Sequence, residues 1–190
     1  QLISSFMIIH IRTAVATETL AVLKRIQDRV LSLATIHRNL YQTQDAGRIN
    51  MGRLVGEVVE RTVEFAVVSN DQIAMDVKID DILLYPDQAV PLSLLAAEAV
   101  TNALKYIGSR DDDVPWMKIR LRQDNDQCIF TIANSVVAQR DTKRTGLGQQ
   151  RMNAFAVQLN ASVETQPLSD SYALILRFKA QEFEPELRDF

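Results

Sequence analysis

Apolar residues recur at two different spacings in this chain, and the change falls near residue 50. From Thr17, whose hydroxyl suits a helix N-cap, the stripe Leu23, Ile26, Val30, Leu33, His37 and Leu40 runs at intervals of three and four residues to about Tyr41. That spacing is the seam of a coiled coil or antiparallel bundle. Leu2, Phe6, Ile9 and Thr13 repeat it upstream, so the sequence is expected to open inside a first helix that belongs to a longer protein. Two such helices joined by a short turn predict a hairpin over residues 1–46, too small to bury its own seam and best completed as a four-helix bundle with a second copy.

A polar connection, Gln42 to Asn50 with Asp45-Ala46-Gly47, separates this hairpin from a different pattern. A helix starting at Met51 turns Leu54, Val55, Val58, Thr62 and Phe65 inward. Alternation of apolar and polar residues then predicts strands over Ile73 to Ile79, Ile82 to Leu84, Trp116 to Arg122, Cys128 to Ala133 and Tyr172 to Phe178. Between them lie a nearly continuous apolar helix, Ala89 to Ile107, and a helix from about Gly146 to Leu159. Helices mixed with antiparallel hairpins indicate an α+β sandwich over residues 50–180, its helices on one face of a sheet, with a peripheral acidic tail over 181–190.

Composition narrows the partners. The 190 residues carry a net charge of −3 with acids and bases interspersed, which leaves neither a basic footprint for nucleic acid nor a polybasic membrane anchor. No apolar run reaches the roughly 18 residues of a membrane span. The single Cys128 sits in an alternating strand and suits a buried thiol in a reducing compartment, so a cytoplasmic location is expected.

Chemistry concentrates in the apolar helix, where Glu98, Asn102 and Lys105 are four and then three residues apart and share one face. A helix so apolar is expected to be buried, and buried Glu, Asn and Lys side chains need partners. A core network would supply them. So would a nucleotide with its metal, because an amide oxygen can complete a Mg²⁺ shell shared with phosphates and an ammonium can meet phosphate oxygens. Thr145-Gly146-Leu147-Gly148 directly precedes the last helix, where free amides and the helix dipole favour an anion; a tight turn would use the same glycines. Asp111-Asp112-Asp113 reads as solvated loop charge.

With these residues in view, Pro86-Asp87-Gln88-Ala89-Val90-Pro91-Leu92 leading into Glu98, Asn102 and Lys105 resembles the N box of sensor histidine kinases, and Gly146-Leu147-Gly148 resembles their later glycine box. Gln1-Leu2-Ile3-Ser4-Ser5, Arg29-Val30-Leu31-Ser32-Leu33-Ala34 and Ile36-His37-Arg38-Asn39-Leu40-Tyr41 resemble the HWE-related class whose phosphoacceptor motif reads H-R-x-K-N-N-L-Q. The resemblance implies a dimerising phosphotransfer hairpin followed by a Bergerat-type ATP-binding domain, with ATP and Mg²⁺ as cofactors and a response-regulator Asp as the final acceptor. Carried over, Asn102 would hold Mg²⁺ and Lys105 would contact phosphate. Thr145, Gly146, Leu147 and Gly148 would cradle the triphosphate, and Glu98 would orient a water or the metal shell.

Two departures accompany the resemblance. The family's D-x-G-x-G box is replaced by Asn134-Ser135-Val136-Val137-Ala138. Asn134 keeps an acceptor for the adenine amine but not the charge, and Val136 and Ala138 resist the positive φ that glycine allows. His10 lies one residue too close to Arg12 for the H-E-x-R-T-P motif of the commoner kinase class, and His37 falls on the bundle seam. The acceptor is therefore expected ahead of Gln1. Loss of the D-x-G-x-G box leaves a second reading, a nucleotide-independent phosphotransfer or docking module.

Overall fold

The computed structural model describes residues 47–66, 73–109, 113–137 and 147–181. The hairpin expected over 1–46, with His10 and His37, lies outside the described residues, as do Thr145, Gly146 and the last residues of the acidic tail.

The described chain begins with β1 (Ile49–Asn50) and α1 (Met51–Ala66). Asn50 caps α1, its Oδ1 accepting from the Arg53 amide at 3.0 Å. The helix buries Met51, Leu54, Val55, Val58, Val59 and Thr62, as its three-four spacing predicts; the Phe65 side chain lies outside the described set. Next come β2 (Ala74–Ile79), β3 (Leu83–Leu84), α2 (Pro86–Tyr106), β4 (Trp116–Asp124) and β5 (Gln127–Ser135). They are followed by α3 (Leu147–Gln158), β6 (Ser162–Pro167) and β7 (Ser171–Lys179).

Five strands form one mixed sheet in the order β2-β4-β5-β7-β6. Among the described strands of this sheet only the β2–β4 pair is parallel, because α2 carries the chain from one to the other as a crossover; the other pairs are antiparallel, as the sequence leads one to expect. β3 does not extend β2 but pairs with β1 in a separate two-stranded ladder. On the main sheet, Met117, Ile119, Leu121, Cys128, Phe130, Ile132, Leu174, Leu176 and Phe178 are buried, one residue in two, while their neighbours stay partly exposed. All three described helices contribute to the same core, so the described fold is a two-layer α+β sandwich.

Helix α2 begins at Pro86, three residues before the expected start, because proline is well tolerated where an amide would lack an acceptor anyway. Helix α3 ends in a Schellman turn. Asn160 takes a φ of 48°, Ala161 N donates to Ala156 O at 2.8 Å and Asn160 N to Val157 O at 3.0 Å. No described helix is long and apolar enough to cross a membrane.

Candidate functional site

Helix α2 buries Leu92, Leu95, Ala96, Ala99, Val100 and Ala103, and this packing fixes where its polar face points. Burial falls along that face. The Glu98 side chain is 16% exposed, Asn102 is half-buried and Lys105 is exposed. The expectation of a buried lysine is thus corrected: Lys105 lies in the last turn, where its charge complements the helix dipole, and its Nζ stands 5.0 Å from the centre of the Tyr106 ring.

Helix α3 packs against α2 and brings its first two turns to this face. Arg151 Nη2 lies 3.2 Å from Glu98 Oε1. Asn102 Nδ2 donates to Met152 Sδ at 3.9 Å, which leaves the amide oxygen as the side chain's ligand atom. Leu147 and Gly148 are the first residues of α3, so their amides belong to the turn that has no intrahelical acceptors. The first turn of α3 contains no acidic residue to compete with an incoming anion. Among the described residues no three His, Cys, Asp or Glu side chains are placed to hold a metal ion.

The end of β5 forms the other wall. Asn134 is 3% exposed and sits on the helix-facing side, in step with Ile132 and Phe130. Its Nδ2 donates to Ser135 O at 2.9 Å. Among the described residues its Oδ1 has no donor, an orphaned buried acceptor of the kind an exocyclic amine satisfies. Ser135 is locked to the neighbouring strand, its Oγ accepting from Trp116 N at 2.9 Å. Gly108 N donates to Ser135 O at 3.1 Å, pinning the exit of α2 beside Asn134.

Val136, at the first of the two glycine positions, takes an ordinary backbone conformation just past β5, and Ala138 lies outside the described residues. Positive φ among the described residues occurs at Asn125, Asn160 and Gly47, not at Val136 or Val137, and Val136 N bonds Asp170 O at 2.8 Å. The small residue is found across the gap instead. A Cβ on Gly108 would come within 2.6 Å of Val137 Cγ2, so glycine at the end of α2 makes room for valine at the end of β5. Cys128 lies in the core, and burial pushes its thiol up to about 11, which keeps it protonated and unreactive.

Comparison with known proteins agrees with this architecture. Residues 1–66 match the family model HisKA_2, described as histidine kinase. Among solved structures, the chain is similar to the histidine kinase domain of the Erythrobacter litoralis EL346 blue-light activated histidine kinase. The TM-score is 0.70 at 14% identity, over 94% of this chain and 95% of that one. It is also similar to the Acinetobacter baumannii histidine kinase AdeS, at 0.58 and 13% over 95% of each. The architecture is that of a sensor histidine kinase core.

The family match covers the first 66 residues, and the likeness in fold to the solved histidine kinase structures extends over the rest of the chain. A longer EL346 chain matches at a TM-score of 0.72 and 13% identity over 93% of this chain, which spans 58% of it. No curated protein matches the chain. Of the site residues expected from sequence, the kinase fold brings Glu98 and Asn102 against the start of α3 and sets Asn134 beside the exit of α2. Lys105 stands at the exposed end of the same line. Sequence reasoning missed Arg151, Met152 and Gly108. The one signal for Arg151 was its charge, opposite to Glu98 and carried by the other helix of the site.

Proposed function

We propose that the kinase core binds Mg-ATP between α2, the start of α3 and the end of β5, and passes the γ-phosphoryl group to a histidine of the hairpin and then to a response-regulator aspartate. The observation that carries this reading is the meeting of the α2 polar face with the first turns of α3, through Glu98–Arg151 and Asn102–Met152. It sets an amide oxygen and an anion-favouring helix start side by side. The orphaned Asn134 oxygen supports the same reading, since it offers an acceptor to the adenine amine without the charge the family usually places there.

In this assignment Asn102 is the protein ligand to Mg²⁺ and Lys105 reaches phosphate from the rim. Thr145, Gly146, Leu147 and Gly148 cradle the triphosphate end. Glu98 orients a water or the metal shell. The bound cation neutralises phosphate charge and aligns the transferring group, so the chain's own work is positioning and charge stabilisation. The hairpin region over 1–46 dimerises with a second copy and presents the phosphotransfer face to the receiver domain, in the cytoplasm, while residues 50–180 form the nucleotide-binding domain.

Thermal denaturation with and without Mg-ATP tests the reading. Ligand at 100 times its dissociation constant adds about 2.7 kcal/mol to stability, a shift of several degrees. Asn102→Ala is expected to remove most of the shift. A wild type that shows none at millimolar Mg-ATP sinks the proposal and favours the nucleotide-independent docking module.

A further inference from the structure

Glu98 is an awkward neighbour for a phosphate site. It lies on the same face as Asn102 and one turn away, with only 16% of its side chain exposed. A carboxylate there repels an incoming triphosphate until a metal arrives. Arg151 answers that charge from the second turn of α3, its Nη2 at 3.2 Å from Glu98 Oε1 and its side chain 34% exposed. The guanidinium stays protonated at any working pH, and the next residue along, Met152, receives the Asn102 amide. The same turn of α3 therefore grips both polar groups on α2.

We propose that Arg151 is a positioning residue of the nucleotide site: by pairing with Glu98 it cancels the carboxylate's charge at the phosphate end, so that nucleotide can enter before its metal. The inference rests on the nucleotide reading above. It makes the two members of one ion pair act in opposite directions on metal-free binding. Removing Arg151 takes away the positive charge beside the carboxylate, whereas neutralising Glu98 leaves a cation beside the phosphates. With Mg²⁺ bound, both effects shrink, because the cation supplies the missing positive charge.

Titration calorimetry on the full chain with ATP, once in excess Mg²⁺ and once in EDTA, tests this. Arg151→Ala is expected to weaken binding about tenfold or more in EDTA, and clearly less in Mg²⁺. Glu98→Gln is expected to strengthen binding in EDTA, and Arg151→Ala should add little on top of it. Arg151→Lys should keep the wild-type ratio of the two affinities, since it keeps the charge. If the pair is only a tie between two helices, both single variants lose affinity equally in the two buffers, and that result overturns the inference. So does wild-type binding that requires Mg²⁺ absolutely, or a lysine variant that behaves like alanine. Thermal melts without nucleotide identify a variant that fails to fold; should Arg151→Ala be one, Glu98→Gln and Arg151→Lys decide the matter. A wild type that binds ATP in neither buffer overturns the nucleotide reading itself, while wild-type binding indifferent to position 151 overturns only this inference.

Discussion

Asn134 uses one half of its amide on the backbone and leaves the other half without a donor among the described residues, although it is 3% exposed. A buried, unsatisfied acceptor costs about 1–3 kcal/mol of stability, so the residue weakens the empty fold. Its Nδ2 is not essential to Ser135 O, which also accepts from Gly108 N at 3.1 Å. Asn134→Leu is therefore expected to leave the melting temperature of the ligand-free protein unchanged or raise it. The same substitution should lower ATP affinity about tenfold, the equivalent of 1.4 kcal/mol for one lost hydrogen bond in a dry site. Melting curves and a parallel ATP titration check both halves. A destabilised variant with unaltered affinity would show that Asn134 belongs to the core and not to the site.

At the scale of elements, what the sequence reveals depends on how much of an element faces the core. Helix α1 and strands β4, β5 and β7 are legible because their buried residues keep a strict period. Strand β6, Ser162–Pro167, is illegible for the opposite reason: it is an edge strand, exposed at nearly every position, and so carries no apolar alternation. The parallel β2–β4 pairing leaves no local mark either, since nothing in a strand's own residues states which way its neighbour runs. Candidate site residues on α2 could be read from their helical spacing, whereas Arg151 acquires meaning only once α3 is docked. Gly108 is a related case, visible as a helix ending but not as a close approach. Its absent side chain makes room for Val137, which is 55% exposed and able to yield in part. Gly108→Ala is expected to cost about 1 kcal/mol, at the low end for overpacking, with the loss recovered in the double variant that adds Val137→Ala. Urea denaturation of the two singles and the double measures this coupling, and additive losses would show that the two residues do not share the space.

Across the whole molecule, the proposed function assigns the folded core and the dimer contact to different parts of the chain. The described sandwich holds a continuous core contributed by three helices and the main sheet. Its surface ion pairs, Asp76–Arg120, Glu164–Arg177 and Lys179–Asp126, are exposed and contribute little. Arg120, Lys179 and the Gln166 and Arg177 pair hold the carboxyls of Asp76, Asp126 and Glu164 respectively below their ordinary values, so what they add is present at neutral pH and fades as pH falls through those lowered values. The stripe Leu23, Ile26, Val30, Leu33, His37 and Leu40, by contrast, is the proposed dimer seam. Glutamates at Val30 and Leu33 are expected to convert a dimer to a monomer in light scattering. Each would place a charge in an apolar seam, at a cost too large for a hairpin of this size to absorb. The same variants should retain the thermal shift with Mg-ATP, because the described residues of the proposed nucleotide site lie on α2, α3 and β5. An unchanged dimer mass, or a wild type that is monomeric at high concentration, sinks the assignment of dimerisation to this seam; loss of the thermal shift along with the dimer would mean that the ATP site depends on the hairpin.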